Sequence, residues 1–290
     1  MAVAVVTDST AYLPQETVER LGVRVVPLQV VVGGTPYAEG RDIDSRQVAD
    51  ALRAYTPVST SRPSPQDLLD SYVAAAEAGA DAIVSLHISA AMSGTYEAAV
   101  LAARESPVPT EVVDSRSLAM GLGFLVVEAA RAAGAGRSAS DITDVARRRA
   151  QLTRGYFYVA TLEHLRRGGR ISGAAALLGS ALAIKPLLRL DEGHIEPLEK
   201  VRTASRAMAR LQELVVQAAG TGPVDLAVHH LDAEQRALEL ADALSTAVPG
   251  ASEVVVGEVG AVVGAHVGPG MVAAVVAPRL DGGDPAGTAA

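Results

Sequence analysis

The residues able to do chemistry in this chain are mostly hydroxyls, gathered in two short polar segments. Thr60-Ser61-Arg62-Pro63-Ser64-Pro65 is one; Ser89-Ala90-Ala91-Met92-Ser93-Gly94-Thr95 is the other, and both interrupt a sequence rich in Ala, Val, Leu and Gly. Each places hydroxyls and backbone N–H groups where a strand is expected to hand over to a helix. Unpaired N–H groups and the helix dipole favour negative charge at such a junction, so an anion can bind there without a metal or a lysine. A carboxylate or phosphate site is the first expectation. Ser61 and Ser93 are the leading donors, with Thr60, the Gly94 N–H and Thr95 beside them. His266 stands just before Gly268-Pro269-Gly270 among almost no other polar side chains. Its imidazole either donates to the anion or is a core histidine bonded to a backbone carbonyl. Arg62 either pairs with the ligand or points to solvent. Both segments also read as plain helix starts, Ser64 and Pro65 being a normal N-cap and N1 pair.

Other chemistries lack their residues. There is no cysteine, which excludes disulfides, thiolate nucleophiles and Cys-ligated metals and fits a reducing compartment. No Gly-x-Ser-x-Gly elbow is present for a serine hydrolase, and no Gly-x-x-x-x-Gly-Lys-[Ser/Thr] loop for a nucleotide-dependent kinase. The first strand leads into Thr7-Asp8-Ser9-Thr10-Ala11, not a dinucleotide Gly-x-Gly-x-x-Gly. The Gly121-Leu122-Gly123 pair falls inside an expected helix, where packing explains it. His87, His164, His194, His229, His230 and His266 show no metal-ligand spacing, and adjacent His229 and His230 would point to opposite faces of a strand. No metal and no cofactor are expected, only a bound ligand.

Bulk properties narrow the class further. A chain of 290 residues, 49% hydrophobic, can bury a large core in one large or two medium domains. Its net charge of −8 and its seven tyrosines, two phenylalanines and no tryptophan disfavour nucleic-acid binding, which needs a basic face and often stacking aromatics. Lys185 and Lys200 are the only lysines. Arg166, Arg167 and Arg170 around Gly168-Gly169 form the strongest positive cluster, with Lys200 and Arg202 a second. Such runs are usually solvated faces; the functional reading is a face, centred on Arg170 and Arg202, for an acidic partner or a phosphorylated head group. The N-terminal Val run reads as a core strand, not a signal peptide. The longest apolar stretch, Ala174 to Ile184, falls short of the roughly 20 residues a transmembrane helix needs. A cytoplasmic protein is expected, with transient membrane contact allowed.

The positioning elements follow from periodicity. Strands are expected at Val3–Val6, Val23–Val32 (broken by Pro27), Ala82–His87 and Glu111–Val113. Helices are expected at Pro14–Leu21, Ser45–Tyr55, Gln66–Ala78, Thr95–Ala103 and Leu118–Ala133, with Asp141–Leu152 capped by Ser140. Thr60–Pro65 reads as a loop. Later come strand Tyr156–Ala160, helix Leu162–Arg167, an apolar helix around Ala174–Ala183, and a hairpin of Leu187–Leu190 with Ile195–Leu198. Helix Thr203–Ala219, strand Asp225–His229, helix Ala233–Ala243 and strands Glu253–Val256 and Met271–Val276 follow. The fold class is α/β: a mainly parallel N-terminal sheet flanked by helices, plus a C-terminal α+β domain with a mixed sheet. The expected domains are 1–152 and 153–280, with 281–290 a fraying Gly/Pro/Ala-rich tail.

Eight segments, in consistent order from about residue 3 to 277, resemble the DegV family. They are Val5-Val-Thr-Asp-Ser-Thr-Ala-Tyr-Leu-Pro14, Thr60-Ser-Arg-Pro63, Ser93-Gly-Thr-Tyr96, Val113-Asp-Ser115, His164-Leu-Arg-Arg-Gly-Gly-Arg-Ile171, Lys185-Pro-Leu187, Lys200-Val-Arg-Thr203 and His266-Val-Gly-Pro-Gly270. One departure is Arg62, where relatives often carry Gln. The resemblance implies a bacterial, non-catalytic protein of two α/β domains that buries the chain of a long-chain fatty acid. It implies that the Thr-Ser-x-Pro and Ser-Gly-Thr hydroxyls hold the carboxylate. It further implies presentation of the fatty acid to a separate kinase, which converts the carboxylate to an acyl phosphate. Leu177, Leu178, Leu182 and Ile184 are candidate tunnel residues, since each buried methylene contributes about 0.8 kcal/mol. The alternative is a binding protein for another anionic amphiphile, such as an isoprenoid or lipid phosphate.

Overall fold

The structure is a computed structural model and describes residues 2–171 and 185–280. The tunnel candidates Leu177, Leu178, Leu182 and Ile184, the expected helix at 174–183 and the expected tail at 281–290 lie outside the described residues.

The first half opens with β1 (Val3–Asp8), α1 (Gln15–Leu21) and β2 (Arg24–Val26). An insertion follows, made of β3 (Gln29–Val32), β4 (Thr35–Ala38), α2 (Ser45–Arg53) and β5 (Val58–Ser61). Then come α3 (Pro65–Glu77), β6 (Ala82–His87), α4 (Thr95–Arg104), β7 (Thr110–Asp114), α5 (Met120–Gly134) and α6 (Ala139–Leu152). A parallel sheet in the order β2-β1-β6-β7 forms its centre. All six residues of β6 are buried, as expected of a parallel strand covered on both faces. On one side pack α5 and α6 through Leu122, Leu125 and Ile142; on the other pack α3 and α4 through Leu68, Tyr72 and Ala98.

Local chemistry explains most boundaries. Ser64 caps α3 by accepting from the Asp67 N–H, and Asp67 reciprocates, with Pro65 in the first turn. The cap of α6 is Ser138, which accepts from the Asp141 N–H at 3.1 Å, so the expected Ser140 cap lies inside the helix. Gly121 and Gly123 are packing glycines. A Cβ on Gly121 would fall 2.0 Å from Ser117 Oγ, and one on Gly123 2.8 Å from the Ala11 carbonyl oxygen.

The second half supplies β8 (Arg154–Tyr158), α7 (Glu163–Arg167), β9 (Lys185–Asp191), β10 (His194–Val201), α8 (Ala204–Ala219), β11 (Val224–Leu231), α9 (Glu234–Ala247), β12 (Ala251–Glu258), α10 (Ala261–Val267) and β13 (Met271–Pro278). Every described strand from β8 onward joins one mixed sheet, in the order β10-β9-β8-β13-β11-β12. Only β11 and β12 pair in parallel. The β9–β10 hairpin turns through Glu192 and Gly193 at φ of 47° and 83°, the left-handed pair that a two-residue hairpin loop demands. One face of this sheet is covered by α8 and α9; the other looks toward the first half.

The expected Val23–Val32 strand is split into β2 and β3, β4 has no counterpart in the sequence expectation, and two elements at the cavity also differ from it. Thr60 and Ser61 belong to β5, not to a loop: with β4 and β3 it makes a three-stranded antiparallel sheet, Thr60 opposite Val30 and Ser61 opposite Gln29. A four-residue strand of Val, Ser, Thr and Ser carries too weak a pattern to be read alone. His266 lies in the short helix α10, packed on this small sheet and on α2 through Val262, Ala265, Val30 and Val48. No side chain of its own segment caps α10; its first turn is held from far away in sequence, as described below.

Candidate ligand-binding site

A cavity of about 260 Å³ lies between the parallel sheet and the open face of the six-stranded sheet. Leu28, Ile88 and Leu118 enter it from segments following β2, β6 and β7, while Phe157, Leu190 and Ala273 enter from the mixed sheet. Ligands of open α/β sheets gather beyond the C-terminal ends of the strands. Its lining is mainly aliphatic and aromatic, with polar side chains concentrated where β5, α4 and α10 meet.

That polar end brings together Thr60, Ser61, Arg62, Ser93, Gly94 and His266, and adds Arg170. Thr60 Oγ1 lies 2.8 Å from His266 Nε2. Burial, helped by the Arg170 charge, lowers the His266 pKa to about 4, so the ring is neutral near pH 7. His266 Nδ1 is buried without a partner among the described residues. Since an orphaned N–H is rarer than an under-used lone pair, Nε2 carries the proton and donates to Thr60. The Thr60 hydroxyl can then donate onward. Glycines at the ends of α7 and α10 let these two helices approach: a Cβ on Gly168 would lie 2.0 Å from His266 Nδ1, and one on Gly268 2.1 Å from His164 Cδ2.

Ser93 precedes α4, which starts from Gly94 with no side-chain cap. The Gly94 N–H and the Ser61 hydroxyl have no partner among the described residues. Ser93 Oγ lies 2.8 Å from Thr95 Oγ1 and accepts from the Thr95 N–H at 3.3 Å. Thr95 itself is fully buried and does not line the cavity, so it orients Ser93 from behind instead of facing a ligand. Arg62 is exposed and lies over Gly94, donating to its carbonyl at 3.3 Å. A Cβ on Gly94 would come 2.4 Å from the Arg62 guanidinium, so glycine there lets Arg62 lean across the mouth.

Arg170 is not a free surface charge. Half-buried, it donates to the Met92 carbonyl at 3.2 Å and to the Gly168 carbonyl at 2.6 Å. It lines both the main cavity and an adjoining concavity of about 320 Å³ that shares Met92, Ser93, Gly94 and Ile195 and adds His194. Arg202 is exposed at the end of β10 and lines neither.

Sequence reasoning missed the group that seats α10. Glu39, almost fully buried, accepts from the Val262 N–H at 2.7 Å, from Ser9 Oγ at 2.5 Å and from the Tyr12 hydroxyl at 3.3 Å. Ser9 Oγ accepts from the Leu28 N–H at 3.0 Å, and the Tyr12 oxygen from the Val263 N–H at 3.3 Å. Three cavity-wall residues, Leu28, Val262 and Val263, are thus hung by their backbones on one polar cluster. Burial raises the Glu39 pKa while these donors oppose it. Nothing near Glu39 in sequence announces a partner 223 residues away. His229, also in the wall, is neutral for the same reason as His266: burial lowers its pKa to about 4. It accepts from the Met120 N–H at 3.2 Å, and its Nδ1 faces the Gly257 carbonyl at 3.2 Å.

A second polar chain is sealed away from the cavity. Tyr72 donates to Ser85 at 2.9 Å, Ser85 lies 2.7 Å from His87 Nε2, and His87 Nδ1 lies 3.0 Å from Asp8. All four side chains are fully buried. Among the described residues no cluster of three His, Asp or Glu side chains is arranged for a metal, and no helix is long and apolar enough to cross a membrane.

Fold and site together define a three-sheet α/β protein built around an apolar cavity with a mouth rich in hydrogen-bond donors. The chain belongs to the DegV family: a profile described as "Uncharacterised protein, DegV family" matches residues 2–279, as the eight motifs implied. A DegV domain-containing protein of Streptomyces coelicolor is 56% identical over 277 residues, covering 96% of this chain and 99% of that one. The solved structure described as fatty acid binding of a DegV family protein from Thermus thermophilus has a TM-score of 0.92 at 35% identity, covering 96% of this chain and all of that one. DegV of Bacillus subtilis, described as a fatty acid binding protein, has a TM-score of 0.88 at 34% identity with the same coverage. The α/β fold class agrees with these structures.

Proposed function

We propose that this protein binds a long-chain fatty acid, its chain in the apolar cavity and its carboxylate at the polar mouth. The observation that carries this is an apolar cavity ending in donors with unused capacity: the Ser61 hydroxyl, the Gly94 N–H and the Thr60 hydroxyl facing His266. A buried carboxylate without donors is prohibitive, and charge-assisted hydrogen bonds are worth about 1.5–3 kcal/mol each. Fatty acid binding by the Thermus and Bacillus relatives supports the same reading. On this reading residues 1–152 and 153–280 act as two domains enclosing the ligand, and the protein is a carrier with no catalytic residue.

Presentation of the carboxylate to a separate kinase is the second part of the proposal. The exposed Ser61 and Arg62 at the rim, and the adjoining concavity beyond Ser93, Gly94 and Arg170, leave a route to the head group. Arg170 would steer the anion from inside, and exposed Arg202 would meet the partner. Arg202→Glu is the cleaner test of docking, and unchanged acyl phosphate formation would remove that role.

The deciding experiment is mass spectrometry of organic extracts from the purified protein and from a Ser61→Ala/Ser93→Ala variant. A stoichiometric fatty acid in the first that falls in the second is the expected result. An extract with no fatty acid, and none taken up on titration, overturns the proposal in favour of an isoprenoid or lipid phosphate.

A further inference from the structure

The wall that the six-stranded sheet offers the cavity is built in cross-strand rows. Gly155 on β8 pairs with Leu190 on β9 and with Val275 on β13, so these three form one row. Phe157 and Ala273 pair in the next row on the same face, two residues along each strand. All five line the cavity. Gly155 is therefore a gap in an otherwise side-chain-covered wall.

Its backbone does not require glycine, because its φ lies outside the left-handed region. Glycine inside a strand weakens it and marks a place where something must approach closely. Here that something is Leu190: a Cβ on Gly155 would lie 3.1 Å from Leu190 Cδ1, 3.3 Å from Cγ and 3.6 Å from Cβ. Leu190 lies over the ground that a side chain at 155 would occupy. With a methyl group beneath it, Leu190 has to give by a few tenths of an ångström, and the cavity is the space beside it.

We propose that Gly155 and Leu190 together set the length of chain the cavity accepts, Gly155 by letting Leu190 lie flat and Leu190 by its reach into the cavity. The inference rests on the fatty acid reading above. It requires opposite signs from two substitutions in one row. Gly155→Ala pushes Leu190 inward and shortens the space; Leu190→Ala removes the branched end and lengthens it. In the double variant the new methyl group meets no isobutyl group, so the Gly155 effect disappears and the variant should behave like Leu190→Ala. A purely structural role for Gly155 would lower stability and leave chain preference alone.

The test titrates myristate, palmitate and stearate into the delipidated full-length protein and its three variants. Room for one methylene is worth about fourfold in affinity. Gly155→Ala should lower the stearate-over-myristate affinity ratio by up to about fourfold, Leu190→Ala should raise it, and the double variant should stay within about twofold of Leu190→Ala. Ratios that stay unchanged, or that move the same way in both single variants, overturn the inference while leaving fatty acid binding intact. A parent protein that binds none of the three acids removes the fatty acid reading, and this inference with it. If Gly155→Ala does not fold, Leu190→Ala decides alone: an unraised ratio overturns the inference.

Discussion

Two polar clusters in this molecule use similar residues to opposite ends. The buried chain runs Asp8, His87, Ser85, Tyr72; the cavity mouth holds Thr60, His266, Ser61 and Ser93. By connectivity the first looks more like chemistry, since a carboxylate orients an imidazole that faces a serine hydroxyl, the arrangement used in acyl transfer. Yet none of its side chains reaches solvent or the cavity, and its capacity is used. Asp8 also accepts from the Ile88 N–H and from the N–H and hydroxyl of Thr10. The mouth has a weaker outline, but Ser61, Gly94 and Thr60 have donors to spare. Spare hydrogen-bonding capacity beside an apolar space distinguishes a ligand site from a structural network.

The contrast can be broken most sharply at Asp8. Asp8→Ala strands four buried donors and should cost about 3–5 kcal/mol of stability in urea denaturation. Ser61→Ala should cost under about 1 kcal/mol, because water already serves its exposed hydroxyl. Comparable losses in the two variants would erase the distinction.

Acid gives a smaller effect. His229 and His266 are held neutral by burial, with pKa values of about 4 against an ordinary 6.5. The unfolded chain takes up protons on them below about pH 6.5 while the folded chain does not, so stability falls as pH drops from there toward 4. For His229, the more deeply buried, the loss is on the order of 3 kcal/mol. His229→Asn should flatten the pH dependence of the melting temperature over that window; an unchanged slope would mean that the ring is not the source.

Arg62 should show the smallest change. Exposed and resting on the Gly94 carbonyl, it adds a screened attraction for an anion at the mouth. Arg62→Gln should weaken fatty acid affinity about threefold at low salt and not measurably at high salt. A salt-independent loss would mean that Arg62 acts through packing over Gly94.

Legibility in the sequence followed the range of the interactions. The Ser64 cap, the β6 strand and the Gly121-Gly123 packing pair were readable because their causes lie within a few residues. Thr60, Ser61 and Ser93 were readable as a group because polar segments stand out in an apolar chain. The Ser138 cap was misplaced by two residues, since Ser138 and Ser140 both precede an acidic first turn. Arg170 read as surface because nothing local reveals the Met92 carbonyl that holds it. Thr95 read as a ligand donor because adjacency to Ser93 does not reveal which of the two faces inward.

By itself the sequence determined the α/β class, the alternation of strands and helices, the family and the hydroxyl-rich segments, all of which follow from periodicity, composition and short motifs. Only the tertiary structure decided that α10 exists as a helix seated on Glu39, that Thr60 meets His266 across 206 positions, and that Leu190 lies closely over Gly155. Those features depend on burial and on contacts between distant segments, and neither is defined until the two sheets face each other.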